Sequence, residues 1–123
     1  MAEILMSIHG KFADLIFSGE KTVELRKTAP VSFGNGETTV FLYNTDTKSV
    51  TGKMTVSDIR ELTEITDNLA EYACLSVEKI QEYKGDGTLY GWFIEEAEIF
   101  DESLRLKDFD VKRAPQSWQY IRR

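Results

Sequence analysis

Residues 18–27 read Ser18-Gly-Glu-Lys-Thr-Val-Glu-Leu-Arg-Lys27, and the way this stretch is read decides the fold. Its first half closes a helix. Upstream, Phe12, Leu15 and Ile16 fall at i, i+3 and i+4 with Lys11 and Asp14 off that stripe, and Gly19 stands where a helix C-terminal glycine belongs. Its second half alternates: Val23 and Leu25 point one way while Thr22, Glu24 and Arg26 share the other face, the two-residue period of a strand. Two cations and a carboxylate, Lys21, Arg26 and Glu24, are thereby set between a helix end and a strand with a buried side. Arg26 can make bidentate contacts to a carboxylate, a phosphate or a base edge, and Glu24 on the same face can pair with it or accept from an amino group of a base. Strict alternation puts Lys21 opposite Glu24 unless a turn or bulge at Thr22 re-aims it. The competing reading is an exposed Glu24–Arg26 pair on an open strand, worth about a few tenths of a kcal/mol.

Working outward, Ile4, Met6 and Ile8 alternate with Glu3, Leu5 and Ser7 in a first strand, and Thr38 to Tyr43, rich in β-branched and aromatic residues, is another. Gly34-Asn35-Gly36 reads as a turn before it and Asn44 to Lys48 as a hairpin loop after it. Val50 to Ile59 continues as a strand in which Gly52 marks a bulge or a close approach. Asp67 to Tyr83 looks helical in two pieces, capped by Thr66 or Asp67 and by Ser76, which has Lys79 rather than Glu at the third position. Leu89 to Phe100 is the last long strand, and Asp101 to Arg123 shows little periodicity. Strand, helix, then several strands with one helical insertion favours a small mixed domain built on a curled antiparallel sheet or barrel.

The chain has 123 residues, room for one core, and only two prolines, Pro30 and Pro115, which argues against long linkers. No apolar run approaches the roughly 20 residues of a membrane helix, and the N-terminus lacks the pattern of a secretory signal. One cysteine, Cys74, excludes an intrachain disulfide and a multi-cysteine metal site; a cytoplasmic location is the default expectation. Cys74, between Ala73 and Leu75 in a helical pattern, reads as a small core residue. The net charge of −6 argues against a polyanion partner, but it is unevenly spread: residues 1–60 sum to 0, residues 61–110 to −10 and residues 111–123 to +4. A nucleic-acid site would have to lie where the N-terminal third meets the tail. With one histidine, one cysteine, no His-x-x-x-His pair and no Gly-x-Ser-x-Gly elbow, zinc hydrolysis and a serine or cysteine triad are disfavoured. His9, at a strand end, is a surface or packing residue unless its near-neutral titration is used.

The run Ser7-Ile-His9, followed by Phe12, Ala13, Ile16 and then Ser18 to Lys27, resembles the ASCH domains of the PUA-like superfamily, whose hallmark is Gly-x-Lys-x-x-Glu-x-Arg after the first helix. Arg113-Ala-Pro-Gln-Ser-Trp-Gln-Tyr120 looks like the Pro-Gln-Ser-aromatic ending of many short bacterial, archaeal and phage members, and Leu89-Tyr-Gly-Trp-Phe-Ile94 is similar to the strand before it. The resemblance implies an α+β, PUA-like fold over residues 1–123, a small β-barrel of about five or six mostly antiparallel strands with two or three flanking helices. It also implies a cleft between barrel and first helix, proposed in the family to bind RNA or a nucleobase. Carried over by position, that cleft is lined by Lys21, Glu24 and Arg26, with Gly19 allowing close approach and Gln116 and Ser117 as additions. A first-strand lysine common in the family is His9 here. Some relatives hydrolyse the acetyl amide of N4-acetylcytidine with a Lys, a Thr and a Glu; this chain keeps Lys21 but has Glu24 where the threonine belongs, with Thr22 out of place. The partner glutamate would be one of Glu61, Glu64, Glu71, Glu78 and Glu82. Other relatives are ribonucleases.

The expectation is therefore a binding module for RNA or a modified nucleoside or nucleotide, with no cofactor, metal or membrane partner, as a monomer or weak dimer. Tyr43, Tyr90 or Trp92 could stack on a base, and each fits a place in the core at least as well. The alternative is a nucleoside amidohydrolase or ribonuclease acting through Lys21 and a carboxylate, Glu24 included. A structural reading, in which the acidic face docks a basic protein, predicts no pocket.

Overall fold

In a computed structural model, which describes residues 2–31 and 36–121, the alternating N-terminal run is a strand, β1 (Ala2–Ile8). Ile4, Met6 and Ile8 on one face and Leu5 on the other are all buried, so β1 lies between two apolar layers. The helix α1 (Gly10–Ser18) follows and stops where Gly19 takes a left-handed φ of 86°, its N–H returning to the Ile16 carbonyl at 3.1 Å. Next come β2 (Val23–Arg26), β3 (Thr38–Asn44), β4 (Ser49–Glu61), α2 (Asp67–Ala73), α3 (Val77–Lys84), β5 (Tyr90–Leu104), a 3-10 turn (Leu106–Phe109) and β6 (Trp118–Tyr120). Of the turn read at Gly34-Asn35-Gly36, the first two residues lie outside the described residues; Gly36 has φ 106°.

The six strands form one curled sheet, a half-barrel in the order β2-β5-β4-β3-β1-β6. It is mixed rather than wholly antiparallel, since β1 and β3 run parallel. The chain leaves β1 through α1 and β2 before it reaches β3, a crossover long enough to restore direction, whereas β3 and β4 are joined by a short hairpin and run antiparallel. The register between β4 and β5 shifts beside Gly52. A Cβ on Gly52 would lie 2.3 Å from the Glu98 carbonyl and 2.5 Å from the Phe17 ring, so only glycine lets α1 and β5 approach this closely.

One face of the sheet packs Val40, Leu42, Met54, Val56 and Trp92 with Ala13 and Ile16 of α1. The other packs Leu5, Phe41, Tyr43 and Val50 with Phe109 and Ile121. The tail that shows no period is thus ordered by long-range contacts: β5 extends to Leu104, and Phe109 lies 4.9 Å from Phe41 between ring centroids. A third cluster joins Val23 and Leu25 of β2 to Leu69, Ala73 and Ile80, which fastens α2 and α3 to the edge of the sheet. Thr66 and Ser76 cap these helices, their hydroxyls accepting from Leu69 and Lys79 N–H at 3.1 Å each. Cys74 is not core. It ends α2 at φ 57°, half-exposed, because the reversal into α3 needs a left-handed residue, and Ala73 takes the buried position instead. Among the described residues no helix is long and apolar enough to cross a membrane.

Candidate functional site

The geometry of the site begins with the way the chain leaves α1. Lys21 precedes β2, and its N–H turns back to the Leu15 carbonyl at 3.0 Å. Thr22 then bonds in two directions, its N–H to Tyr72 of α2 and its carbonyl to the N–H of Ile94 on β5, both at 2.9 Å. Alternation starts only at Val23, so the turn at Thr22 frees Lys21 from the strand register and puts its side chain on the side of Glu24. Its Nζ is 3.5 Å from Glu24 Oε1, donates to the Ala73 carbonyl at the end of α2, and sits 5.1 Å from the Phe12 ring centroid. Lys21 is 2% exposed. A charge so deeply buried persists only because acceptors and a counter-ion replace its water.

Glu24 takes its second oxygen to Arg26, which donates from Nε at 2.8 Å and from Nη2 at 2.7 Å. The remaining Arg26 donors leave β2: Nη2 reaches the Ser7 carbonyl at 2.9 Å, and Nη1 reaches the Ser117 Oγ at 3.2 Å and the Ser117 carbonyl at 3.5 Å. Ser7 holds the same segment, donating from Oγ to the Pro115 carbonyl at 2.6 Å and from N–H to the Ser117 carbonyl at 2.9 Å. Arg26 therefore ties β2, one edge of the half-barrel, to β1 and the approach to β6 at the other. The open surface pair is not what forms; both side chains are nearly buried.

Where these edges converge there is a cleft of about 660 Å³, within the usual range for small-molecule sites. Lys21, Glu24 and Arg26 form its floor and carry one net positive charge; Ile8, Phe12, Leu25, Leu75 and Pro115 supply apolar wall. Gln116 and Ser117 border it on the tail side, and His9, Thr45 and Lys79 stand at the rim. His9 is exposed, precedes α1 without capping it, and has Nδ1 3.3 Å from the Thr45 hydroxyl. Tyr83 of α3 also lines the cleft, and burial pushes its phenol above its usual range. Nearby Glu24 reinforces that shift, while the Arg26 charge and a hydrogen bond from the Lys27 main chain oppose it.

Of the residues singled out from sequence, Lys21, Glu24, Arg26, Gln116 and Ser117 come to one cleft and Gly19 does not; Gly19 serves to end α1. Tyr43 and Trp92 are core residues and Tyr90 packs against the core, so none of the three is offered to a base from this cleft. Glu61, Glu64, Glu71, Glu78 and Glu82 are exposed and none lines the cleft; the carboxylate beside Lys21 is Glu24. Sequence reasoning missed Leu75, Lys79 and Tyr83. For the last two a signal existed, since their four-residue spacing puts them on one face of α3. Phe12, in the apolar stripe of α1, packs against the core while half-buried, and its ring also faces Lys21. Among the described residues no group of three or more His, Cys, Asp or Glu is placed to hold a metal ion.

The family model of the ASCH domain matches residues 6–103. No curated protein matches the chain. The crystal structure of ASCH from Zymomonas mobilis is similar at a TM-score of 0.79 and 23% identity, covering 99% of this chain and 89% of its own. A serine-to-alanine variant of that protein gives 0.82 at 22% identity over 99% and 89%, and a tyrosine-to-phenylalanine variant 0.79 at 22% over 100% and 92%. At this identity the likeness is one of fold.

Proposed function

Because the chain belongs to the ASCH domain family, a PUA-like family proposed to bind RNA, we propose that its cleft binds a nucleotide of RNA or a modified nucleoside, reading the base edge at the Lys21–Glu24 pair. The observation that carries this reading is the juxtaposition, at the floor of an apolar-walled cleft, of an acceptor-only group and a donor-only group 3.5 Å apart. Nucleobase edges present an N–H beside a carbonyl or ring nitrogen, and such a pair is complementary to them. Arg26 has its donors engaged by Glu24, Ser7 and Ser117, so its part is to hold Glu24 in place rather than to grip a phosphate. Gln116 and the Ser117 hydroxyl can adjust to the exocyclic groups, and Phe12 and Tyr83 give the flat base apolar surface. The rim cation Lys79 favours an anionic ligand.

Hydrolysis of an amide or phosphodiester is the second reading, favoured by one observation, the nearness of Lys21 to a carboxylate in a recess. Against it, Glu24 occupies the position where the acetylcytidine hydrolases have their nucleophile, and it is clamped by Arg26. Calorimetric titration with nucleosides, N4-acetylcytidine and short RNAs, with chromatography of the products, separates the two. Binding without turnover, weakened about tenfold or more in Lys21→Met, is expected. Turnover abolished in Lys21→Met would replace the binding reading with the enzymatic one, and an absence of binding to every ligand would remove both.

A further inference from the structure

Beside the cleft lies a second cavity of about 380 Å³, formed by α1, the end of α2 and the start of α3. The two are contiguous: Phe12, Leu75 and Lys79 line both. Phe12 and Leu75 make an apolar partition between them, and Lys79 stands over it. The second cavity is also lined by Lys11, Ala70, Glu71, Cys74 and Ser76, none of which lines the first. Lys11 and Lys79 are exposed and their ammonium groups are not drawn into an ion pair with Glu71, whereas the floor of the first cleft is buried and internally paired. Lys11 Nζ lies 5.4 Å from the Phe12 ring centroid, so one cation stands near the partition from each side.

A charged floor pair, Lys21 and Glu24, that reads one base, a ridge of Phe12 and Leu75, and two lysines around that ridge reproduce the order base, phosphate, next nucleotide along a single strand. We infer that the second cavity is a subsite for the nucleotide adjoining the one in the cleft, with the linking phosphodiester held by Lys79 and Lys11, so that the ligand is a single-stranded oligonucleotide rather than a free nucleoside. This rests on the reading of the first cleft as a nucleotide site. It also accounts for how a chain of net charge −6 accepts a polyanion: the basic groups are needed at one or two phosphates, not along a groove. The chain's single cysteine supplies a reporter, since Cys74, whose Sγ donates to the Glu20 carbonyl at 3.5 Å, lines the second cavity and is absent from the lining of the first.

The test compares a nucleoside, its monophosphates and the two dinucleotides that extend it on either side, titrated into wild type and Lys11→Ala, and follows alkylation of Cys74 by iodoacetamide under the same ligands. One of the dinucleotides should bind about tenfold more tightly than the nucleoside in wild type; that ratio should fall by about threefold or more in Lys11→Ala; and this dinucleotide, but not the nucleoside, should slow alkylation. A monophosphate equal to the dinucleotide would reduce the subsite to a phosphate site and overturn the inference of an adjoining nucleotide. Equal affinities for nucleoside and dinucleotides, or an alkylation rate that no dinucleotide changes, would overturn the subsite while leaving the first cleft standing. If nucleoside and dinucleotides alike fail to bind, the reading of the cleft itself has failed and the subsite falls with it.

Discussion

Glu24 on β2 and Glu95 on β5 sit on neighbouring strands, with Glu24 in register with Trp92, yet the two carboxyls live under opposite conditions. Glu24 is buried between Lys21 and Arg26, each of its oxygens facing a cation. Glu95 is fully exposed and hydrogen-bonded to another carboxyl, Glu37, which first by that bond and then by its charge holds Glu95 above the usual carboxylate range. Both add one negative charge to the same total. What separates them is the company each keeps: the first is part of a closed network that joins the edges of the sheet and floors the cleft, and the second belongs to the acidic outer face of β5. Net charge therefore describes how the surface repels a polyanion and says nothing of the site, where the balance is positive.

The contrast is broken most severely by Arg26→Ala. Glu24 then loses the partner of its second oxygen, the Ser7 carbonyl loses a donor, and the link between β2 and the β1–β6 edge goes with it. A loss of about 3 kcal/mol is expected in urea unfolding, where Glu95→Ala should change nothing of that order. A cost under about 1 kcal/mol would mean that the apolar cluster behind β2, not the ion network, holds that edge. Lys21→Met comes next, at about 2 kcal/mol: the methionine fills the space, but the Ala73 carbonyl loses its donor while Glu24 keeps Arg26. Because Lys21 also faces the cleft, its effect on ligand affinity should exceed what its effect on stability conveys.

The relative size of these effects follows from what could and could not be read before the fold. The helix–turn–strand of residues 10–26 was legible because its signals are local: an apolar stripe, a terminal glycine, then strict alternation. So were the caps at Thr66 and Ser76 and the close approach at Gly52. The parallel pairing of β1 with β3 was not, since loop length reports only on neighbours in sequence. Nor was the ordering of the tail: Phe109 and Ser117 are held by Phe41, Ser7 and Arg26, all far away in the chain; nothing local marks Phe109, and Ser117 stood out only through the resemblance of the Pro-Gln-Ser-aromatic ending. The site divides in the same way. Lys21, Glu24 and Arg26 were visible as a cluster, but alternation alone left the side of Lys21 hanging on a turn at Thr22, and the bonds of Thr22 to α2 and β5 that make that turn are tertiary. Leu75, Lys79 and Tyr83 entered the cleft only when α3 docked through Ile80. Aromatic richness left Tyr90 and Trp92 open between stacking and the core, and a strand packed against a core uses those rings for the core.

Smaller changes sharpen the comparison. Ser117→Ala removes the 3.2 Å acceptor of Arg26 Nη1 and leaves it the carbonyl at 3.5 Å, so a loss of about 1 kcal/mol is expected, with the network otherwise intact. Tyr83→Phe should leave stability near neutral pH almost unchanged and act only in alkali. The folded phenol holds its proton above the ordinary value of 10.0, so the unfolded chain ionises first and stability declines as pH rises past that value. In Tyr83→Phe that share of the decline is absent, and unfolding followed from pH 8 to 11 measures it.

The weakest effect is at the other carboxyl, and its sign is opposite to that of the losses expected at Arg26, Lys21 and Ser117. Glu95 is raised in the folded state, so folding takes up protons as the pH falls from neutrality toward the ordinary value of 4.5, and the Glu37–Glu95 contact changes from a repulsion to a shared proton. Glu95→Gln removes the repulsion without waiting for the proton. The variant should be slightly more stable than wild type near pH 7, the difference should shrink as pH falls through the raised value of Glu95, and added salt should shrink it too, because the pair is exposed. Parallel thermal melts of both proteins across pH 4 to 7 at two salt concentrations read this out. A difference that grows on acidification would show that the Glu37–Glu95 pair is held together by something other than the shared proton.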